Sequence, residues 1–274
     1  MATQSNSDSQ AARDDDSQKP QVIDDAMLQD MMYEQGYDDE EDITWLDDNY
    51  YRLATIALIV VNVIVFIVEF VKSGFTWDIS SEVLIEMGAM FAPLVQSPAD
   101  LYRFITPMFL HMDPMHLLFN MMALFSVGEA LEYVLGKGNF LLLYFISGIT
   151  GNAVAYMADV LFGTGMTVSA GASTAVFGTF VAVALLAVLC RGNRKELVEY
   201  SKGMLSVIGI NLVYTLLVPG ISMSGHLGGA IGGLIAMFMV PSKNLRVPNA
   251  VRIIVAVLWV AALAYVLSFT GVLA

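Results

Sequence analysis

The sequence predicts an all-α polytopic membrane protein, and three observations support this fold class. Hydrophobic residues occupy 57% of the 274 positions and charged residues only 14%, which is more apolar material than one soluble core needs. The apolar residues are gathered into seven runs of helical length. Lysine and arginine residues are concentrated in alternate connections between these runs.

The seven runs predict seven transmembrane helices. They cover residues 53–71, 115–135, 140–162, 172–190, 204–219, 225–240 and 251–270. The fifth and sixth are shorter than the roughly 20 residues that cross a hydrocarbon core, so we expect their ends to shift outward or the bilayer to thin. The prediction divides the membrane body into a six-helix core, residues 50–242, and a seventh helix within residues 243–274.

The acidity of the chain lies in its N-terminal tail. Residues 1–49 contain 15 acidic and 2 basic residues, whereas the rest of the chain contains 11 of each. The tail has few large apolar residues and is predicted to be largely disordered. Because the membrane body has no basic patch, nucleic-acid binding is excluded. The single cysteine, Cys190, and the lack of a zinc-type Cys and His spacing imply no metal site, and no cofactor is implied.

Positive charges set the orientation, because short loops rich in Lys and Arg stay in the cytoplasm. With the tail in the cytoplasm, eleven such residues lie inside and only Lys72 and Arg103 lie outside. The sequence therefore predicts a multi-pass protein of the cell membrane with a cytoplasmic N-terminus and an external C-terminus. The outer connection, residues 72–113, contains prolines that prevent another continuous span, so we expect it to lie on or partly in the membrane surface.

Polar residues at membrane depth form a pattern. Spans two, four and six all run from outside to inside, and they carry polar residues in their first turns: His116 and Asn120, then Ser173, then His226. These four side chains are predicted to lie at one shallow depth below the outer surface. Because polar groups inside spans are costly, they are candidates for function.

Three of these residues also have structural interpretations. Ser173 closely follows Gly171 at a helix start, where a serine can be an N-cap or a small residue at a tight helix contact. His116 and Asn120 share one helix face, where they can form two donors of an oxyanion hole or two interhelical hydrogen bonds. His111 is predicted to point elsewhere and to belong to the loop.

His226 is the residue that packing alone leaves unexplained. Gly229 and Gly233 lie on its helical face, and their lack of side chains lets another helix backbone approach. If that neighbour is span four, the imidazole and the Ser173 hydroxyl come within the roughly 3 Å that proton transfer needs. This geometry would make Ser173 and His226 the catalytic dyad of a hydrolase.

Together these motifs resemble the rhomboid family of intramembrane serine proteases. The resemblance runs from about residue 53 to residue 240, with the motifs in the family's order. They are YR from residue 102, HMDPMHLLFN from 111, GEALE from 128, GAS from 171, and GH from 225 with two further glycines.

The resemblance implies a role for each candidate. Ser173 would be the nucleophile and His226 the general base and acid, with no aspartate completing a triad. His116, Asn120 and the Ser173 backbone N–H would stabilise the oxyanion, supported by Gly171 in the nucleophile motif.

Two departures from the family pattern are visible. Tyr102 stands where the family usually has tryptophan, and Phe177 stands where a tyrosine often packs on the catalytic histidine. A phenylalanine four residues after Ser173 can still lie beside His226, but the phenolic hydrogen bond is lost. We therefore expect altered tuning and not inactivity.

The resemblance implies the lipid bilayer and single-span membrane proteins as partners, the latter cleaved near the outer face. Two alternatives remain open. A proteolytically inactive rhomboid-like protein could bind membrane segments, although the retention of Ser173 and His226 opposes this. A small proton-coupled transporter could use the histidines as a relay, but it would require an internal repeat of broken spans, and no convincing one is present.

Overall fold

The computed structural model describes residues 52–162, 167–190, 198, 202–203, 205–217 and 222–270. The predicted acidic tail, residues 1–49, lies outside the described residues. Within the described ranges the chain is helical between its connections, and β pairing is limited to two isolated bridges, Met90 with Ser169 and Cys190 with Leu245. The fold is all-α and polytopic, as predicted.

Eight α-helices follow one another in the described part of the chain. They are α1 (Leu53–Lys72), α2 (Ser81–Glu86), α3 (Pro114–Leu135), α4 (Lys137–Phe162), α5 (Ser173–Leu189), α6 (Leu205–Leu217), α7 (Met223–Met239) and α8 (Asn249–Leu267). By length and composition, α1, α3, α4 and α8 can cross a membrane, while α5 and α7 are shorter apolar helices of 17 residues. Each predicted run coincides with one helix. Only the fifth and sixth runs were predicted to be short, but α5, which corresponds to the fourth run, is as short as α7, which corresponds to the sixth.

The helix ends differ from the predicted ones by a few residues. The largest shift at a helix start is in α4, which begins at Lys137 and not at residue 140. Gly136, with a φ of +82°, ends α3, and α4 begins immediately after it. A left-handed glycine turns the chain within one residue, which makes this connection shorter than an apolar pattern can predict.

The centre of the bundle consists of α4, α5 and α7, which make the most extensive interhelical contacts. Glycines allow α7 to lie directly against α5. A Cβ atom added to Gly229 would lie only 1.9 Å from the Thr174 carbonyl oxygen, and one added to Gly233 would lie 2.2 Å from that of Gly178. The glycine face of the sixth span therefore lies against the fourth span, which is the neighbour that contact between His226 and Ser173 requires.

The connection between α1 and α3 is folded onto the bundle. It contains α2 and three 3₁₀-helices, Ala92–Leu94, Pro98–Phe104 and Thr106–Phe109, and no continuous span, as predicted. The buried Arg103 guanidinium donates hydrogen bonds to the carbonyl oxygens of Ile85 (3.0 Å) and Ala89 (2.9 Å). Asn152 of α4 donates to the Phe104 carbonyl oxygen at 2.9 Å. These bonds hold the connection in place beside the candidate site.

Two polar contacts fix the helices at the opposite end. The buried Glu132 carboxylate of α3 accepts the backbone N–H groups of Ala54 and Thr55, each at 2.9 Å, and therefore satisfies donors at the start of α1. The Arg252 guanidinium of α8 donates to the Ser242 carbonyl oxygen (2.8 Å) and to that of Val240, directly after α7. Buried backbone groups at these helix ends thereby find partners.

Candidate active site

Ser173 is the first residue of α5. Its N-cap position is occupied by Ala172, which makes no side-chain capping bond, so the N-cap interpretation of Ser173 does not hold. The Ser173 Oγ atom lies 2.6 Å from His226 Nε2, across 53 residues of sequence. The two side chains that the sequence placed on different spans are therefore in hydrogen-bond contact.

His226 lies in the first turn of α7 and is held by packing. Ser222 caps α7 by accepting the Gly225 N–H at 3.1 Å, and His226 is 4% exposed. The Phe177 ring stacks on the imidazole with a centroid distance of 4.3 Å and an interplanar angle of 7°. Within the described residues, His226 Nδ1 has no hydrogen-bond partner. The ring stack, together with the bond to Ser173, thus orients the imidazole.

Gly171 brings His116 next to the serine. Its φ of +138° is a conformation that L side chains rarely adopt, and its N–H donates to the Pro107 carbonyl oxygen at 2.8 Å. A Cβ atom at this position would lie 2.9 Å from His116 Nε2 and 3.2 Å from Ser173 Oγ. The absence of a side chain therefore leaves room for the imidazole and the hydroxyl to lie close to the same point.

His116 and Asn120 lie at the start of α3, where the Asp113 carboxylate caps the helix by accepting the N–H groups of Met115 (2.8 Å) and His116 (2.9 Å). Both side chains are buried. The Asn120 amide donates to the His116 carbonyl oxygen at 2.9 Å, within its own helix. The structure thus brings His116 to the serine, while this Asn120 bond stabilises the helix turn that carries His116.

The expectation that His111 points elsewhere is wrong. The His111 ring is fully buried, and its centroid lies 5.1 Å from that of His116 in an edge-on arrangement. The expectation assumed that both histidines lie on one helix, five residues apart. Instead, α3 begins only at Pro114, and Asp113 has an extended backbone, so His111 precedes the helix and its direction does not follow helical spacing.

Three supporting groups were not among the predicted site residues. Asp113 and Ser222 cap the helices that carry the histidines, and an Asp or Ser ahead of an apolar run is a sequence signal for such caps. The third group is the Pro107 carbonyl oxygen, which holds Gly171. A backbone acceptor has no sequence signal.

Comparisons with known proteins agree with this architecture. A family model described as Rhomboid domain matches residues 98–243, more than half of the chain. The chain is 35% identical over 183 residues to Rhomboid protease GluP of Bacillus subtilis, which covers 66% of this chain and 34% of the relative. It is 40% identical over 147 residues to Putative rhomboid protease YdcA of the same organism, covering 53% and 70%.

A relative from another organism extends the match. Rhomboid protease AarA of Providencia stuartii is 28% identical over 240 residues, which covers 79% of this chain and 83% of the relative. The chain thus spans about a third of the length of GluP and most of the length of AarA. The matches support an integral multi-pass membrane enzyme of the serine endopeptidase class, and the chain belongs to the rhomboid family.

Proposed function

We propose that this protein is an intramembrane serine endopeptidase in which Ser173 and His226 form the catalytic dyad. The observation that carries the proposal is the 2.6 Å separation of Ser173 Oγ and His226 Nε2. A hydroxyl becomes a competent nucleophile when a base within hydrogen-bond reach can take its proton. Family membership adds that relatives of this chain are named as proteases.

The reaction follows from this contact. His226 Nε2 takes the Ser173 proton while Oγ attacks the carbonyl carbon of the scissile peptide bond. The tetrahedral intermediate then collapses, and the leaving amine receives the proton from His226. Water next attacks the resulting acyl ester, again with His226 as base, and releases the new carboxyl group together with free Ser173. The serine and histidine thus return to their starting protonation states.

The negative charge on the tetrahedral intermediate needs preorganised donors. Support comes from the position of His116 Nε2, which lies across Gly171 from the Ser173 hydroxyl. The Ser173 backbone N–H belongs to the first turn of α5, where helix N–H groups have no acceptor within the helix. We assign both as oxyanion donors, with Asn120 as a further donor whose side chain lies one turn after His116. Loss of one such donor typically costs about 10²-fold or more in rate.

Substrates are proposed to be single-span membrane proteins, cleaved near the outer face of the cell membrane. The support is the position of the site: Ser173, His226 and His116 all lie in the first turns of helices that the positive charges orient from outside to inside. Hydrolysis needs water, and a site at shallow depth can receive it from the outer surface. We propose a cytoplasmic N-terminus on the same grounds.

Cleavage by purified protein tests this function. In proteoliposomes, the protein is expected to cleave a model single-span substrate, and Ser173→Ala and His226→Ala are expected to lower the rate to the assay background. Ser206→Ala is the matched control, because the Ser206 hydroxyl is exposed on α6 and, within the described residues, bonds to the Gly203 carbonyl oxygen at 3.3 Å. Undiminished cleavage by Ser173→Ala would contradict the proposal.

A fluorophosphonate probe supplies a second readout that needs no substrate. Such probes modify activated serines, so mass spectrometry of the labelled protein is expected to find the adduct on Ser173 and to lose it in His226→Ala. Cleavage without labelling of Ser173, or labelling of another serine, would overturn the assigned roles. Binding of the substrate without cleavage and without labelling would instead indicate a proteolytically inactive family member.

A further inference from the structure

Glu69 is an acidic residue in the last turn of α1, and it is fully buried. An ionisable side chain inside an apolar span is costly, so its retention calls for a partner. Both carboxylate oxygens of Glu69 accept the backbone N–H of His111, at 3.1 and 3.2 Å. This bond joins α1 to the chain segment that leads into α3, across 42 residues of sequence.

The His111 side chain continues this contact toward the site. Its ring is fully buried, and neither ring nitrogen makes a hydrogen bond of good geometry within the described residues. Burial lowers the pKa of the His111 imidazole and the neighbouring His116 lowers it further, and together they outweigh the backbone of Phe109, which raises it. The ring is therefore placed by its packing against His116, while its backbone is placed by Glu69.

The segment between the two histidines is fixed at further points. The Ile79 N–H donates to the Met112 carbonyl oxygen at 2.8 Å, and Asp113 caps α3. The segment thus has limited freedom, and the Glu69 bond fixes its end nearest α1. A continuous set of buried contacts leads from Glu69 through His111 to His116, and from there to Gly171 beside Ser173.

We infer that Glu69 is a positioning residue, which holds the His111 ring against His116 and thereby keeps the His116 imidazole at the oxyanion position. The inference rests on the proposed function, because it concerns the geometry of that same site. Glu69 acts through His111 and His116 and does not itself contact the reacting atoms. Misplacement of a catalytic group by about 1 Å can cost on the order of 10²-fold in rate. Loss of the Glu69 contact, which would let the His116 ring shift, is therefore expected to have a measurable effect.

The test measures kcat and KM for substitutions at Glu69 in proteoliposomes. Glu69→Leu removes the acceptor and leaves the His111 N–H buried without a partner, so kcat is expected to fall by about 10- to 100-fold while KM changes by less than about twofold. Glu69→Gln keeps a carbonyl acceptor of the same length and is expected to retain kcat within about threefold. Unchanged kcat in Glu69→Leu would overturn the inference.

Phe66→Leu provides the matched control. Phe66 lies one turn earlier on α1, is 6% exposed and belongs to the same packing cluster as Leu110, but it provides no acceptor to the loop. Its substitution therefore measures what loosened packing alone does, and kcat is expected to stay within about twofold of the wild-type value. A fall in kcat as large as that of Glu69→Leu would indicate a merely structural role for this part of α1.

A double-mutant cycle with His116→Ala separates positioning from stability. If Glu69 acts through His116, then Glu69→Leu is expected to lower kcat by less than about threefold once the His116 imidazole is absent. Full additivity of the two substitutions would overturn the inference. Should Glu69→Leu fail to fold, Glu69→Asp replaces it in the same cycle, because it keeps the carboxyl group but draws the acceptor back by one methylene.

The two proposals fail in different ways. If Ser173→Ala still cleaves the substrate, the proposed dyad is wrong, and the positioning role of Glu69 at that site is wrong with it. Cleavage that requires Ser173 but shows no dependence of kcat on Glu69, in either the Leu or the Asp variant, removes only the positioning role.

Discussion

Phe177 shows how a single side chain shapes the candidate dyad. Its ring is nearly parallel to the His226 imidazole at 4.3 Å, and it provides the stacked surface that orients a ring whose Nδ1 has no hydrogen-bond partner in the described part of the chain. Orientation of the His226 ring, the proposed base, therefore depends on packing more than on a second hydrogen bond. The phenyl ring thus keeps the ring contact that the family resemblance led us to expect at this position.

Substitution of Phe177 tests this dependence. Aromatic pairs contribute about 0.5–1.5 kcal/mol beyond area burial, so Phe177→Ala is expected to lower kcat by about tenfold in the proteoliposome cleavage assay. Phe177→Tyr keeps the ring and is expected to retain activity within about threefold. Equal activity of the alanine variant and the wild type would show that the stack does not orient the base.

At the residue scale, the sequence predicted the members of the site better than their supports. Ser173, His226 and His116 stood out because polar groups in apolar spans are rare. Glu69 is likewise a polar residue in an apolar span. However, a single acidic residue near the end of a span can equally be interpreted as a side chain that extends to the membrane surface. The position of the His111 ring depends on the backbone conformation around Asp113, just before α3 begins. Hydrophobic periodicity does not predict the direction of a side chain that lies outside a helix.

Among the described helices, α7 and α5 lie in direct backbone contact. Because the Gly229 Cα lies against the backbone of Thr174, the helices that carry His226 and Ser173 meet without intervening side chains. Glycine at this contact therefore sets how closely the proposed base and the proposed nucleophile can approach, as the sequence pattern indicated.

Gly229→Ala tests the role of this approach. The added Cβ would lie 1.9 Å from the Thr174 carbonyl oxygen, so the helices must separate, and we expect a loss of about 1–3 kcal/mol in stability together with loss of cleavage. Gly138→Ala is the control, since a Cβ there meets no atom within 4 Å. Thermal unfolding and cleavage rate are the measurements. Tolerance of Gly229→Ala would contradict the geometric requirement.

Glu132 and Glu129, one turn apart on α3, provide a contrast between a buried and an exposed acid. Glu132 is 1% exposed and accepts two N–H groups and the Thr55 hydroxyl, whereas Glu129 pairs with Arg52 at the surface. Glu132→Leu leaves buried donors unsatisfied and is expected to lower stability by about 2–4 kcal/mol. Glu129→Leu is expected to cost about 1 kcal/mol or less, because exposed ion pairs contribute little. Equal shifts in the unfolding midpoint would refute this contrast.

Prediction of the elements succeeded where one apolar run makes one helix. All seven runs coincide with helices, because a backbone in hydrocarbon must satisfy its own hydrogen bonds. The connection between α1 and α3 could not be predicted in detail. Its four short helices depend on long-range bonds such as those of Arg103 and Asn152, which join residues far apart in sequence.

For the whole molecule, the orientation in the membrane determines on which side substrates are cut. We predict that a cysteine replacing Trp77, an exposed residue between α1 and α2, reacts with a membrane-impermeant maleimide in intact cells. A cysteine replacing the exposed Lys243, between α7 and α8, should react only after permeabilisation. Cys190→Ser removes the native thiol from both variants and serves as the unlabelled control. The reverse labelling pattern would invert the topology and the proposed side of cleavage.

The glycine-lined contacts among α4, α5 and α7 have a consequence for amide hydrogen exchange. Where backbones touch, as Gly229 touches Thr174 and Gly233 touches Gly178, no side chain can move aside to admit solvent. Deuterium can reach the amides at these contacts only when the helices part, so their protection reports the stability of this helix packing. The same opening would separate Ser173 from His226. Slow amide exchange at this contact and the hydrogen bond between these two side chains therefore depend on the same opening equilibrium.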